Sequence, residues 1–101
     1  MEMRVRWSKR SISDLEQIFD YYNITANQNI ARTIIAGIVA TTKLLKTNPN
    51  CGQIEELLMY KNYRRIVEGN HKIIYFIENE TVIIVTVFDS RQNPDKLTSL
   101  F

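Results

Sequence analysis

The stretch YRRIVEGNHKIIYF, residues 63 to 76, reads as two strands folded back on each other at Gly69-Asn70. Glycine and asparagine tolerate the positive φ that a two-residue hairpin loop demands, and both flanks are rich in Ile, Val, Tyr and Phe. The same stretch carries Arg64, Arg65, His71 and Lys72. Positive charge set beside the most apolar strands of the chain calls for an explanation.

Outward from this hairpin the rest of the fold follows. Toward the C-terminus, Thr81 to Phe88 forms a third apolar run behind the short connection Glu78-Asn79-Glu80, which predicts an antiparallel meander. Toward the N-terminus, Ile30, Ile34, Ile38, Thr41 and Leu45 recur at helical steps, with Lys43 and Lys46 near the end and NPN (48–50) as the stop. An earlier helix is marked by Ile12, Leu15, Phe19 and Tyr22, with Ser8 as its N-cap hydroxyl. Asp14 and Glu16 lie in its early turns, where acidic groups suit the helix dipole, and NITANQN (23–29) breaks it. MRVRW (3–7) alternates apolar and charged residues as a short strand does. The order β-α-α-β-β-β predicts an α+β fold, with an N-terminal strand and a helical hairpin packed on one face of an antiparallel sheet.

A chain of 101 residues, 45% hydrophobic and 24% charged, predicts a single globular domain over 1–101. The formal charge of +2 is too mild to argue for nucleic acid by itself. Cys51 is the only cysteine, which excludes an internal disulfide and suits a reducing compartment. MEMRVRW has no signal-peptide core and the apolar runs are far shorter than a membrane span needs, so the expected location is cytoplasmic. Neither a glycine-rich phosphate loop, a Cys/His zinc spacing nor a local Ser/His/Asp signature is present, so no cofactor or metal is expected.

Consecutive apolar residues at 73–77 and 82–85 make both sheet faces apolar, whereas a helical hairpin covers one. The second face is either a partner surface or the resting place of the C-terminal tail. Alternation puts Tyr63, Arg65 and Val67 on one face of their strand and Arg64, Ile66 and Glu68 on the other. On the next strand Lys72, Ile74 and Phe76 oppose His71, Ile73 and Tyr75. Arg65, with Lys72 or His71 and with Arg91, could form a cationic cluster that steadies a charged phosphorane. Of these only His71 titrates near neutrality and could serve as a base. The competing reading is a solvated sheet edge in which Glu55, Glu56 or Glu68 pairs with the arginines.

WSKRSISDLEQIFDYY after a short strand, NP after a second helix, and YRRIVEGNHKIIYFIENETVIIVTVFDSRQNP at the end together resemble the RelE/ParE superfamily of toxins from bacterial type II toxin–antitoxin modules. The resemblance covers nearly the whole chain in the same element order. It implies a growth-arresting toxin held inactive by a cognate antitoxin that covers apolar surface, for which Ile74 and Phe76 on the second sheet face are the expected contacts. RelE-like members cut mRNA on the ribosome; ParE-like members poison DNA gyrase. Carried over from the RelE-like branch, the phosphate-handling cations fall on Arg65, Lys72 and Arg91, with His71 as a weaker catalytic candidate. That branch commonly supplies a late Tyr or His, whereas this chain ends QNPDKLTSLF after Arg91. SDLEQIFDYY and VFDSRQNPDKL are closer to ParE-like sequences, which implies a gyrase-binding toxin with Arg64, Arg65 and Arg91 as target contacts. The alternatives are a ribosome-dependent endoribonuclease and a degenerate protein that binds antitoxin without toxicity.

Overall fold

The computed structural model describes residues 2–55 and 62–91. It places β1 at Arg4–Trp7, α1 at Lys9–Thr25, α2 at Gln28–Leu44, β2 at Gln53–Ile54, β3 at Arg64–Glu68, β4 at His71–Glu78 and β5 at Thr81–Asp89. The five strands form one sheet in the order β1-β5-β4-β3-β2. Strands β2 to β5 are antiparallel neighbours, and the expected meander is present. The first strand joins the edge of that sheet, parallel to β5, so the sheet is mixed. The two-residue strand β2 was not anticipated, because two residues carry no readable period.

Both hairpin loops follow their turn chemistry. Gly69 takes φ +58°. Asn79 and Glu80 lie at +49° and +62°, a pair of positive values that matches the twist of the strands they join.

The helical hairpin covers one sheet face. Its core holds Ile38, Leu45, Ile73, Tyr75, Val82, Ile84 and Val87, with Val5, Trp7, Leu15, Ile18, Ile34 and Ile66 packed around them. On the second face Tyr63 and Ile74 are buried among Phe76, Val85 and Phe88. Consecutive apolar residues in β4 and β5 are thereby explained, since alternate side chains enter two separate clusters. The expectation that the tail covers the second face falls on residues 92–101, outside the described residues.

The α1 stripe differs from expectation. Ser8 caps the helix as foreseen, its Oγ accepting from the Ser11 N–H at 3.0 Å. The α1 residues buried against the sheet, however, are Ser11 and Asp14, while Ile12 is 47% exposed. Asp14 does not serve the helix dipole. Its Oδ2 accepts from the Thr86 hydroxyl at 2.5 Å and from the Val87 N–H at 3.0 Å. The pairing of β4 with β5 shifts register between Ile74 and Tyr75, leaving Val85 as an extra residue. That bulge turns Thr86 and Val87 toward α1 together, where Asp14 satisfies them. NITANQN holds the break as expected: α1 ends at Thr25, and Asn27 begins α2 by accepting from the Ile30 N–H at 2.8 Å.

Replacing Asp14 with Ala would strand a buried N–H and a buried hydroxyl. Urea unfolding of Asp14→Ala is expected to show a loss of about 2 to 3 kcal/mol with an unchanged m-value. A loss below about 0.5 kcal/mol would mean that the bulge holds itself.

Candidate functional site

The residues singled out in the sequence lie on β3, on β4 and just past the end of β5, but not in one place. Arg64 is cross-strand to Tyr75 and reaches back over the loop before β2, donating from Nη1 to the Asn50 and Gly52 carbonyls at 3.2 and 2.7 Å. The same loop receives Tyr75, whose hydroxyl donates to the Pro49 carbonyl at 2.7 Å and accepts from the Gly52 N–H at 2.9 Å. A side chain at Gly52 would meet the Tyr75 hydroxyl at 2.5 Å, so only glycine lets the loop lie this close. Arg64 therefore has a structural task.

Arg65 lies on the second face, cross-strand to Ile74. Its guanidinium donates to the Ile54 carbonyl and to Gln53 Oε1, each at 2.8 Å, and stands 3.7 Å from the buried Glu55 carboxylate. Pairing with Glu55 was one of the competing expectations. Glu68 takes another partner, accepting from Thr41 Oγ1 at 2.9 Å on α2; Glu56 lies outside the described residues. Lys72 shares the face of Arg65 and sits over the Phe88 ring, 5.9 Å from its centroid. Ile74 is fully buried and Phe76 half-buried, so of the two expected antitoxin contacts only Phe76 offers surface.

His71 and Arg91 belong to a second group, at the far end of the sheet and on the helix side. His71 pairs with Glu68 on β3 and with Asp89 on β5, making a row of carboxylate, imidazole and carboxylate across three strands. The Tyr22 ring of α1 closes over the imidazole at 6.0 Å, edge to face. His71 is thus buried, at 5% exposure. Burial pushes its pKa down; Asp89 opposes that shift and Arg91 adds to it. Arg91 grips Asp89 with both ends of its guanidinium, at 2.9 and 2.5 Å. That clamp holds the Asp89 carboxyl down at about 2 and pushes Arg91 further up.

The structure thus brings Arg65 and Lys72 to one face and places His71 and Arg91 on the other. Tyr22, Glu68 and Asp89 were missed as members of the second group. Only Asp89 left a usable signal, the carboxylate two residues before an arginine in the DSR run at the end of a strand. Among the described residues no three His, Cys, Asp or Glu side chains group as metal ligands, and no helix is long and apolar enough to cross a membrane.

The chain is thus a mixed five-stranded sheet under a helical hairpin, with Arg64 and Arg65 on β3, and solved structures share this fold. The chromosomal ParDE system of P. aeruginosa matches with a TM-score of 0.77 at 18% identity, covering 87% of this chain and 96% of that one. The RelBE2 toxin–antitoxin complex of Mycobacterium tuberculosis matches with a TM-score of 0.67 at 19% identity, covering 88% and 99%. No curated protein matches the sequence. The family model described as the ParE toxin of the type II toxin–antitoxin system, parDE, matches residues 5–94, and the chain belongs to that family.

Because the folded imidazole has the lower pKa, the unfolded chain binds more protons below the unfolded value of 6.5. Stability should therefore fall as the pH drops from 6.5 toward the folded His71 pKa, then level off. His71→Gln should flatten that slope, and Arg91→Ala should raise the His71 pKa seen by NMR titration. An imidazole titrating above 6.5 in the wild-type chain would refute this account of its surroundings.

Proposed function

We propose that this chain is a growth-arresting toxin that poisons DNA gyrase by binding and is neutralised by a cognate antitoxin in the cytoplasm, folding as one domain over 1–101. Family membership supports the module and the ParE-like branch. The relatives named as ParDE and RelBE2 assemblies support an antitoxin partner. The observation that carries the choice of target class is the separation of groups around β4. Cleavage through the ribose 2′-hydroxyl needs a proton acceptor and a charge-steadying cation at one phosphate. Here His71 is sealed under Tyr22 on the helix side, while Arg65 and Lys72 face the other way. Such an arrangement favours recognition over proton transfer.

Arg65 and Arg91 are the proposed target contacts. Both keep part of the guanidinium accessible while their carboxylate partners fix its direction, a preorganisation that lowers the cost of binding. Arg64 contributes by holding the loop before β2. Phe76 is the proposed antitoxin contact on the second face, beside Ile74 beneath it.

The deciding experiment titrates the purified chain into gyrase with relaxed plasmid and ATP. Loss of supercoiling with accumulation of linear DNA is expected, and Arg91→Ala should weaken the effect about tenfold or more. Undisturbed supercoiling with mRNA cut on ribosomes would overturn the proposal in favour of an endoribonuclease, in which Arg65→Ala and Lys72→Ala abolish cutting. Antitoxin binding without growth arrest would identify a degenerate member.

A further inference from the structure

The Tyr22 ring lies over His71, the first residue of β4, and α1 runs on for three residues beyond it before α2 returns from Gln28. This tip of the helical hairpin carries large apolar side chains on its surface: Tyr21 is 58%, Ile24 82% and Ile30 44% exposed. Tyr21 and Ile24 stand one turn apart on one helix face, and Ile30 follows in the first turn of α2. Ile24 is the most exposed of the large hydrophobic side chains among the described residues. Grouped in this way rather than scattered, such side chains mark a contact surface.

The patch continues into Arg91. Tyr21 packs edge to face on Tyr22 at 5.0 Å, and after Asp89 the groups that act on the Arg91 charge are the Tyr22 and Tyr21 hydroxyls. Asp89 takes the guanidinium at Nε and Nη2, and among the described residues no acceptor holds Nη1. Tyrosines and an oriented arginine around an apolar centre are the composition that carries most of the energy in protein interfaces. The surrounding charges point the same way. Around the tip Asp20, Glu68 and Asp89 balance Arg32 and Arg91, so no positive field builds up there. Residues 4–10, by contrast, hold four cations and no acid. Arg4 and Arg6 are exposed on β1, and Lys9 and Arg10 open α1, with Arg10 about 18 Å along the helix from Tyr22. A phosphate backbone at the tip would meet carboxylates and would find its cations at the far end. A protein surface with an apolar recess and one carboxylate meets no such opposition.

We propose that the hairpin tip and Arg91 form one surface that binds the protein component of the target, with Ile24 entering an apolar recess and Arg91 meeting a carboxylate, and that DNA is not its ligand. This partner assignment rests on gyrase being the target.

The test titrates the intact chain into gyrase holoenzyme free of DNA and follows the heat of binding. Saturable binding is expected, changing less than about tenfold between about 50 and 200 mM salt. Ile24→Gln and Tyr21→Ala should each weaken it about tenfold or more. Both side chains are exposed, so the urea midpoints of the variants should match the wild type and show that folding is intact. An Ile24→Gln chain that stops supercoiling at the wild-type dose would overturn the inference and leave gyrase as the target. A wild-type chain without effect on gyrase would overturn both. Binding that requires DNA, and that weakens about a thousandfold over the same salt range, would overturn the inference in favour of a phosphate contact.

Discussion

The arrangement of the molecule depends on one buried carboxylate. Asp14 reaches from α1 into the β5 bulge and accepts from Thr86 and Val87 at once. A bulge leaves backbone groups without ladder partners, and inside a core such groups must be satisfied or the segment rearranges. The start of the helix is fastened to the same place, since Ser8 donates from its N–H to the Ile84 carbonyl and from its Oγ to the Val85 carbonyl at 2.8 Å. Two attachments about a turn and a half apart fix both the position and the rotation of α1. That rotation carries Tyr22, two turns beyond Asp14, over His71. The environment of the imidazole is therefore set at the other end of the helix.

The positive charge noted beside the apolar strands has more than one role. Arg64 organises a loop and Arg65 is aimed by Gln53, the Ile54 carbonyl and Glu55. Arg91 is oriented by a two-point contact with Asp89. Exposed ion pairs contribute little to stability, so the significance of the Arg91 pair is in direction rather than in energy. A guanidinium held at two nitrogens presents a fixed edge, and binding then freezes fewer rotamers. The β1 cations differ in kind, because among the described residues no ion pair holds Arg4 or Arg6.

Much of this fold was legible because it rests on local signals. The Gly69-Asn70 loop, the Ser8 cap and the apolar runs of β3, β4 and β5 are each decided within a few residues. The parallel pairing of β1 was not legible, since strand neighbours across 77 residues leave no periodic trace in a single sequence. Asp14 was misassigned for a related reason. A carboxylate early in a helix reads as serving the dipole, and only the partner strand, by supplying an unsatisfied N–H, makes burial favourable. Of the candidate site, alternation separated Lys72 from His71 but left open which of them Arg65 joins, and the strand register places it with Lys72. The imidazole's burial was not readable, because its cover comes from a helix 49 residues earlier.

Separating His71 from Arg65 and Lys72 has a chemical consequence. A neutral imidazole with a lowered pKa is in the right protonation state to accept a proton at neutral pH, which by itself favours catalysis. Access weighs the other way and supports the proposed binding role. Tyr22 would have to leave before a ribose hydroxyl came within hydrogen-bond reach, and Asp89 would have to release Arg91 before that guanidinium could turn wholly to a phosphate. The first movement would undo the contact of α1 with β4, and the second the clamp at the end of β5. Binding a partner asks for neither: it uses the outer edges of Arg65 and Arg91 as they stand, with the core closed. For a scaffold pinned this firmly at the β5 bulge, recognition by a rigid surface is the less costly way to act.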